Sequence, residues 1–439
     1  YFMIGSWDKK TWRLAGPVIL SNMSVPLLGA VDIAVVGHLP EPQFLGAVAV
    51  GALIFSLIYH IMNFLRMGTT GLTAQALGAQ DTAEVRAWLV RAAILSGAIS
   101  IGILALQTPI LWVSLHLVGA SPEVSALAAD YFLIRVWGAP AALAIYALTG
   151  WFFGIQNTRA ALILQLWLNG LNIVLDLWFV LGLGWAVEGV AAATLIAEYA
   201  AVVLGLILVR RELRRIGGQW QIGDVYHIAR LKRMARVNGD IFLRSIGVQL
   251  VLVVFKSTGA RMGDLELAAN SILLQMSFFM VFGLDGFANA AEAMVGKAVG
   301  AKDREQFRQA VKVTTRWAAI FAILFSFCFF VGGKHIIAMM TSIAEVQTVA
   351  HQYLDWVIAM PIISVWCFQL DGVFIGATWT RAMRNTMAVS TALYVGCVLL
   401  TVPVFGNHGL WFSFILFFAF RGITLAFHYH ALEPRMGAS

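Results

Sequence analysis

The chain has 439 residues, of which 60% are hydrophobic and 12% are charged, and its formal net charge is +7. A soluble globular domain carries about 25% charged residues, so this composition excludes an ordinary soluble protein and predicts an integral membrane protein. The three cysteines stand in separate apolar runs without metal-ligand spacing, which argues against a disulfide framework and against a zinc site.

The first apolar stretch, residues 14–36, is long enough to cross a bilayer. At about 1.5 Å per residue its 23 residues span about 34 Å as a helix, against a hydrocarbon core of about 30 Å. It contains one ionisable residue, Asp32, and two prolines, Pro17 and Pro26, which are expected to kink or hinge the helix. A carboxylate inside a membrane span usually faces a partner or a water-filled cavity. Asp32 is therefore the first functional candidate, with a purely structural hydrogen bond to a neighbouring hydroxyl as the alternative.

Polar turns divide the whole chain into twelve apolar spans. The predicted helices are 12–38, 44–78, 84–108, 123–150, 160–182, 187–211, 231–258, 265–300, 305–330, 345–376, 383–404 and 408–431. Of the Lys and Arg residues in the connecting segments, 23 lie on the side of both termini and 3 on the other. The positive-inside rule therefore places both termini in the cytoplasm. Since topology explains the positive charge, no nucleic-acid partner is predicted.

The sequence also repeats itself at a constant offset. QALGAQD at 75–81 aligns with KAVGAKD at 297–303, an offset of 222, and further matches extend over most of the first half. Such an offset indicates two homologous six-helix halves, related by a pseudo-twofold axis along the membrane normal. We expect an N-terminal lobe at 1–215, a basic cytoplasmic linker at 216–230 and a C-terminal lobe at 231–439.

Familiar catalytic motifs are missing from the sequence. It contains no nucleotide-binding P-loop, no H-E-x-x-H zinc motif and no G-x-S-x-G elbow. ATP is therefore not the evident energy source, and no enzyme is predicted. The remaining candidates are polar residues within the apolar spans.

Several polar residues of the first half are expected at one depth in the outer half of the membrane. Asp32 and Asp176 each lie six residues before the outer end of a predicted helix, and Thr194 lies five residues beyond Gly189 in the next one. Helical spacing brings three more side chains near them: Asn169, Asn172 and Glu198. Two carboxylates in one desolvated pocket favour binding of a proton or another cation. The alternative is a hydrogen-bonded network that only holds the helices together.

The second half does not copy this group, because Asp32 falls on Val254 at the offset of 222. Any coupling chemistry is therefore predicted to be asymmetric and to reside in the first lobe. The second half has its own charged residues within the spans, which are Asp240, Arg244, Asp285, Glu292, Asp371 and Arg421. Pairing among these charges is the simpler interpretation. A substrate-binding polar site at Asp285, Asp371 and Arg244 is the alternative.

Segments along the whole chain carry the motifs of a known transporter family. They are VPLLGAVDIAVVGHL in span one, LRMGTTGLTAQALGA in span two, FGIQNTRA after span four, LNIVLDLWFVLGLG in span five, GVAAATLIAEY in span six and LDGVFIGAT in span ten. These segments closely resemble the multidrug and toxic compound extrusion (MATE) transporters, specifically the DinF-like subgroup. The resemblance implies two lobes around a central cavity, and export of lipophilic, often cationic compounds driven by entry of protons or sodium.

Carried over by residue, the resemblance implies that Asp32 is the coupling carboxylate. Its network would be Asn172, Asp176 and Thr194, and Pro17 would mark the position where the first helix bends. The NorM-like subgroup places a Glu in span seven as part of a second-lobe cation site. The corresponding region here, NGDIFLRSIGVQLVL, contains no Glu, which favours protons over sodium.

Together these observations predict an all-α antiporter of the bacterial cytoplasmic (inner) membrane that exports amphipathic, cationic drugs in exchange for protons. No cofactor or metal is expected, except Na⁺ at Asp32 and Asp176 if sodium is the coupling ion. The expected partners are small molecules and the lipid bilayer, with the chain acting as a monomer. The alternatives are a sodium-coupled antiporter and a flippase for lipid-linked oligosaccharides of the same superfamily. An intramembrane aspartyl protease with Asp32 and Asp176 as its dyad is a third, although no Gly-x-Gly-Asp motif surrounds either residue.

Overall fold

The computed structural model describes residues 5–36, 42–219 and 222–430, and over these ranges the secondary structure is helical, without any β-strand. The α-helices are α1 (Ser6–Val36), α2 (Pro42–Met62), α3 (Phe64–Gly78), α4 (Thr82–Ala105), α5 (Gln107–Val118), α6 (Pro122–Arg135), α7 (Ala139–Gly154), α8 (Thr158–Asp176), α9 (Val187–Ile216), α10 (Ile222–Val225), α11 (Ile228–Ala260), α12 (Asp264–Gly300), α13 (Arg304–Met340), α14 (Ala344–Gly376) and α15 (Thr380–Tyr429). A 3₁₀ turn, Val136–Gly138, joins α6 to α7, and a π-helical segment, Leu177–Gly182, continues α8.

Apolar helices account for the twelve predicted spans. The described residues contain 10 segments that are long and apolar enough to cross a membrane, and the last of them, α15, is two helices joined at a kink. Helix α1, with 31 residues, completes the set of twelve. The prediction of an all-α membrane protein with twelve spans is confirmed.

The connection between the last two spans is a sharp backbone turn rather than a loop. Gly406 adopts φ 55° and ψ −133°, a conformation that L-residues with side chains rarely adopt. Across the turn, the hydroxyl of Thr401 lies 3.0 Å from the carbonyl oxygen of Gly409 and 2.9 Å from the hydroxyl of Ser413. These bonds connect the two sides of the turn.

Two helices extend farther than the sequence predicts. The sequence predicts that span three ends at residue 108, but after a break at Leu106 the chain continues as α5 to Val118. Helix α13 reaches Met340 instead of residue 330. It passes through the glycine pair at residues 332 and 333 without ending. A Cβ on Gly333 would lie 2.9 Å from Leu354, so the small residue lets α14 pack closely.

The internal repeat is visible in the backbone. Asp81 caps α4 and Asp303 caps α13, each accepting the N–H of the third helical residue at 2.9 Å. Four described residues other than glycine have positive φ, and the same offset pairs them. Gln80 (57°) corresponds to Lys302 (54°), and Gln156 (62°) corresponds to Thr378 (53°). Equivalent turns thus close equivalent helices in the two halves.

Glycine packing repeats in the same way. A Cβ on Gly150 would lie 3.0 Å from the Cα of Arg66, and a Cβ on Gly372 would lie 3.0 Å from the carbonyl carbon of Ala288. These two contacts are related by the same offset of 222. In each half, therefore, a glycine lets two helix backbones approach closely, as small residues do in membrane bundles.

The helices group into two compact units. One, the C-terminal unit, comprises Tyr1–Ile19, Leu77–Gln80 and Arg233–Ser439, and the other, the N-terminal unit, comprises Leu20–Ala76 and Asp81–Lys232. The division between them falls inside α1, two residues after Pro17.

The beginning of α1 is anchored within the C-terminal unit by one carboxylate and one aromatic ring. Asp8 forms an ion pair with Arg316 and accepts a hydrogen bond from the indole N–H of Trp317 at 2.8 Å. Trp12 packs edge to face on Phe287 at 5.4 Å between ring centroids. Both contacts fix the first turns of α1 rather than the part that carries Asp32.

We expect Asp8→Asn to lower the thermal stability at neutral pH but not in acid. Burial disfavours the charged form of Asp8, which precedes the predicted span, but the hydrogen bonds from Trp317 and Arg316 outweigh burial and hold its pKa below the usual range. A depressed pKa stabilises the fold above about pH 4, and this contribution disappears as the pH falls through the folded-state pKa. The effect should stay below about 1 kcal/mol, because the side chain of Arg316 is 43% exposed.

Thermal unfolding of the purified protein at a series of pH values tests this, with Asp264→Asn, an exposed carboxylate at the start of α12, as the matched control. A destabilisation by Asp8→Asn that grows toward acidic pH contradicts the assignment.

We also expect Gly372→Ala to destabilise the protein by about 1 to 3 kcal/mol, because the added methyl group overlaps the backbone of Ala288. The matched control is Gly396→Ala in α15, where a Cβ meets nothing within 4 Å. There the substitution should be neutral or stabilising, since alanine favours helix over glycine. Equal melting temperatures for the two variants would show that the Gly372 contact is not tight.

Candidate functional site

The core of the candidate site is a trio of polar side chains on α8 and α9. Asp176 is 0% and Asn172 is 1% exposed, and Thr194 is half-buried. With its nitrogen directed at Asp176, the Asn172 amide donates to Asp176 Oδ2 at 2.9 Å. Its oxygen then accepts from the Thr194 hydroxyl at 3.0 Å and from the Thr194 N–H at 3.1 Å. The structure therefore brings together three of the four predicted core residues.

Asp176 stands where the regular helix ends. It is the last residue of α8, and the next six residues form the π-helical segment. Segments of π-helix are rare and occur often at functional sites, because they change the direction of side chains within a continuous helix. The apolar pattern of the sequence does not predict this π-helical segment.

A second set of polar contacts joins α8 to α1. Asn169, a predicted supporting residue, donates to the hydroxyl of Ser24 at 2.7 Å and accepts from the amide of Gln165 at 2.9 Å. The Ser24 hydroxyl also lies 2.6 Å from the carbonyl oxygen of Ser21. Ser24 and Gln165 were not predicted, although Gln165 precedes Asn169 by one helical turn and so shares its face.

Asp32 belongs to α1, four residues before the helix ends at Val36, but its side chain lies outside the described residues. Pro17 and Pro26 both lie within the same helix and are half-buried. The α1 backbone is thus helical through both prolines, and Ser24 makes its contact with Asn169 two residues before Pro26.

Glu198, predicted as a supporting carboxylate, has a partner of its own. Arg135 on α6 donates to both of its oxygens, at 2.8 Å and 2.6 Å. The side chains of Arg135 and Glu198 are 8% and 7% exposed, and the guanidinium lies 5.1 Å from the ring centroid of Phe55 and 5.5 Å from that of Tyr59. This arrangement is a bidentate, charge-assisted pair. It joins α6 to α9 one helical turn from Thr194.

The second half contains a separate buried cluster of charges. Arg244 on α11 and Arg421 on α15 both donate to the same oxygen of Asp371 on α14. Asp285, the other predicted acidic residue there, is half-buried and interacts electrostatically with Arg421. Asp240 on α11 has a different partner and accepts a hydrogen bond from Arg384 on α15 at 2.7 Å. The predicted residues Asp371 and Arg244 are thus in direct contact, and Arg421 joins them.

These contacts determine what each group can do chemically. The trio of Asp176, Asn172 and Thr194 contains one carboxylate and two groups that can both donate and accept hydrogen bonds. No cluster of three or more His, Cys, Asp or Glu side chains suited to a metal ion occurs among the described residues. Asp176 thus has neutral partners in this trio, whereas Glu198 and Asp371 are paired with guanidinium groups.

We expect Glu198→Leu to destabilise the N-terminal unit by about 3 to 5 kcal/mol, because it leaves the Arg135 guanidinium buried without its carboxylate. The double variant Arg135→Met with Glu198→Leu should recover most of this loss, since it removes both charges together. Unfolding in mixed detergent micelles measures the stability of the single and of the double variant. A double variant that is no more stable than Glu198→Leu alone would mean that the two side chains are not energetically coupled.

Comparison with known proteins identifies the family. The MatE family profile matches residues 17–178 and 241–400. DNA damage-inducible protein F of Escherichia coli (strain K12) is 44% identical over 421 residues, which cover 96% of this chain and 92% of that protein. The probable multidrug resistance protein NorM of Rhizobium meliloti (strain 1021) is 26% identical over 462 residues, covering 97% and 94%.

The fold is similar to that of solved transporters. An outward-facing multidrug resistance MATE family transporter of the MOP superfamily superposes with a TM-score of 0.88 at 20% identity, covering 99% of this chain and 98% of that chain. The Vibrio cholerae MATE transporter VcmN in its bent form gives a TM-score of 0.87 at 21% identity, covering 98% of each chain. The chain is a multi-pass membrane protein that belongs to the MatE family of multidrug and toxin efflux transporters.

Proposed function

We propose that this transporter exports amphipathic, cationic compounds in exchange for protons, and that the proton binds at Asp32 and Asp176 in the N-terminal unit. The observation that carries the proposal is the buried Asn172 amide between Asp176 and Thr194. The bacterial cytoplasmic membrane, with both termini inside, is the location that the distribution of 23 and 3 basic residues supports.

The Asn172 amide suits a carboxylate that changes its protonation state. With its nitrogen toward Asp176 it donates to an ionised carboxylate, and after a rotation of the amide its oxygen can accept from a protonated one. The hydroxyl of Thr194 can donate or accept at the other end of the amide. The hydrogen bond between Asp176 and Asn172 can therefore be kept in both protonation states, so the proton can bind and leave without the loss of this bond.

The contact between α1 and α8 supports placing Asp32 near this trio. Ser24 and Asn169 touch at 2.7 Å, and Asp32 and Asp176 follow them by eight and seven residues. At 1.5 Å per residue these two positions lie about 12 Å and about 10.5 Å farther along their helices than the contact. In the proposed topology both helices run outward, so the two positions reach a similar depth.

Protonation would then act on α1. Neutralising Asp32 removes a charge from the outer half of the helix, which carries Pro17 and Pro26 and belongs to both units. A helix with interior prolines bends at low cost because it already lacks hydrogen bonds there. Proton and substrate exclude each other when each favours a different shape of this helix.

Sodium coupling is the second candidate, because the oxygens of Asp176, Asn172 and Thr194 are of the type that also binds sodium. A flippase for lipid-linked oligosaccharides belongs to the same superfamily and would use a cavity rather than an ion site. An intramembrane protease needs Asp32 and Asp176 as a reactive pair, but the Asn172 amide already occupies one oxygen of Asp176.

The experiment is efflux of a cationic dye from vesicles containing the purified protein, under an imposed proton gradient or an imposed sodium gradient. We expect the proton gradient alone to drive efflux by the wild type. Asp32→Asn and Asp176→Asn should reduce efflux to the level of empty vesicles, because asparagine cannot take up a proton. The matched control is Glu123→Gln, which removes an exposed carboxylate from the first turn of α6.

The results of this experiment separate the candidates. Efflux driven only by sodium would mean that the proposed site binds sodium instead of a proton. Normal efflux by a folded Asp32→Asn variant would show that this carboxylate is structural and would overturn the mechanism. Absence of dye transport together with movement of lipid-linked sugars would favour the flippase.

A further inference from the structure

A cavity of about 370 Å³ lies in the C-terminal unit, where α15 begins beside the first turns of α11. Its lining residues are Arg236 and Asp240 from α11 and Arg381 and Arg384 from α15. Three guanidinium groups thus converge on one concave site, with a single carboxylate among them.

The charges in this cavity are not balanced. Asp240 is 4% exposed and accepts hydrogen bonds from Arg384 at 2.7 Å and from the hydroxyl of Thr380 at 3.0 Å. In the part of the chain that the structure describes, neither Arg236 nor Arg381 forms a hydrogen bond or an ion pair through its side chain. After the pairing of Arg384 with Asp240, two positive charges remain without a counter-ion among the described residues.

This cluster is not a requirement of the fold. At the repeat offset of 222, only Arg381 has an equivalent, Arg159, whereas the other three lining residues correspond to Leu14, Val18 and Leu162. The first half therefore builds the same helices without the cluster. Positive charge that served only to orient the protein in the membrane would not need a concave site with a buried carboxylate holding one arginine in place.

The surroundings of the cavity favour a lipid as the source of the counter-ion. In the proposed topology the cavity lies at the cytoplasmic surface of the membrane, where anionic headgroups concentrate. Farther along the same two helices, Leu243 on α11 and Val389 and Leu393 on α15 are 50%, 51% and 44% exposed. These side chains provide an apolar surface for acyl chains next to a basic site for a headgroup.

We propose that this cavity binds the headgroup phosphate of an anionic phospholipid of the cytoplasmic leaflet. Guanidinium groups bind phosphate oxygens through two parallel hydrogen bonds, and Arg236 and Arg381 both have the donors free. Asp240 fixes the position of Arg384, which then completes the cationic lining. The proposal rests on the topology given under the proposed function but not on the coupling ion or on the exported compound.

The test measures lipid binding to the purified, detergent-solubilised full chain by native mass spectrometry and by thermal unfolding. The probes are phosphatidylglycerol, phosphatidylcholine and inorganic phosphate. Wild-type protein should retain phosphatidylglycerol in preference to phosphatidylcholine and melt at a higher temperature in its presence. Replacing both Arg236 and Arg381 by Gln should weaken phosphatidylglycerol binding by about 25-fold, or about five-fold for each charge near the membrane surface.

The matched control replaces Arg211 and Lys312 by Gln, which removes the same amount of charge from exposed positions outside the cavity. It should bind phosphatidylglycerol as the wild type does. Equal weakening in both double variants would overturn the proposal in favour of general surface charge, and so would unchanged binding in the Arg236 and Arg381 variant. Stabilisation by inorganic phosphate without retention of phosphatidylglycerol would show that the ligand is a free anion rather than a lipid.

The test does not depend on transport. Unfolding of each variant without lipid shows whether it is folded, and the lining arginines replaced are exposed. A failure of proton-driven efflux leaves the lipid result unchanged, so the two proposals can fail separately.

Discussion

A charged side chain within a membrane span is stabilised by a partner inside the protein, because lipid offers none. Two groups of buried charges among the described residues meet this requirement. Arg135 and Glu198 form a bidentate pair, and Arg244 and Arg421 share one oxygen of Asp371. Each pair or cluster joins different helices, so meeting the electrostatic requirement also fixes which helices lie side by side.

The same constraint separates structural charges from candidate functional ones. Glu198 and Asp371 are held by guanidinium groups, which already occupy their carboxylate oxygens. Asp176 instead faces an amide, a neutral partner that accommodates both protonation states. The identity of the partner, more than burial, therefore distinguishes the candidate coupling site from the other charges in the membrane.

Much of the fold and part of the candidate site could be predicted from the sequence, because they depend on the spacing of residues along the chain. Spans show as apolar runs, the repeat shows as an offset, and Asn172 shares a helix face with Asp176 because four residues make about one turn. The pairing of Glu198 with Arg135 could not be predicted, because their separation of 63 residues carries no periodic signal. Ser24 and the π-helical segment were missed for a related reason, since their conformations are set by packing between helices.

The turn at Gly406 has a consequence for how the protein is made. Since α15 runs from Thr380 to Tyr429 with only a kink between its two halves, the last two spans are joined by a turn rather than by a flexible loop. The bonds of Thr401 to Gly409 and Ser413 close the turn locally, over eight and twelve residues. Such short-range contacts form early, because closing a short loop costs little entropy. The last two spans are thus suited to enter the membrane together as one helical hairpin, and the turn between them offers no loop to a protease.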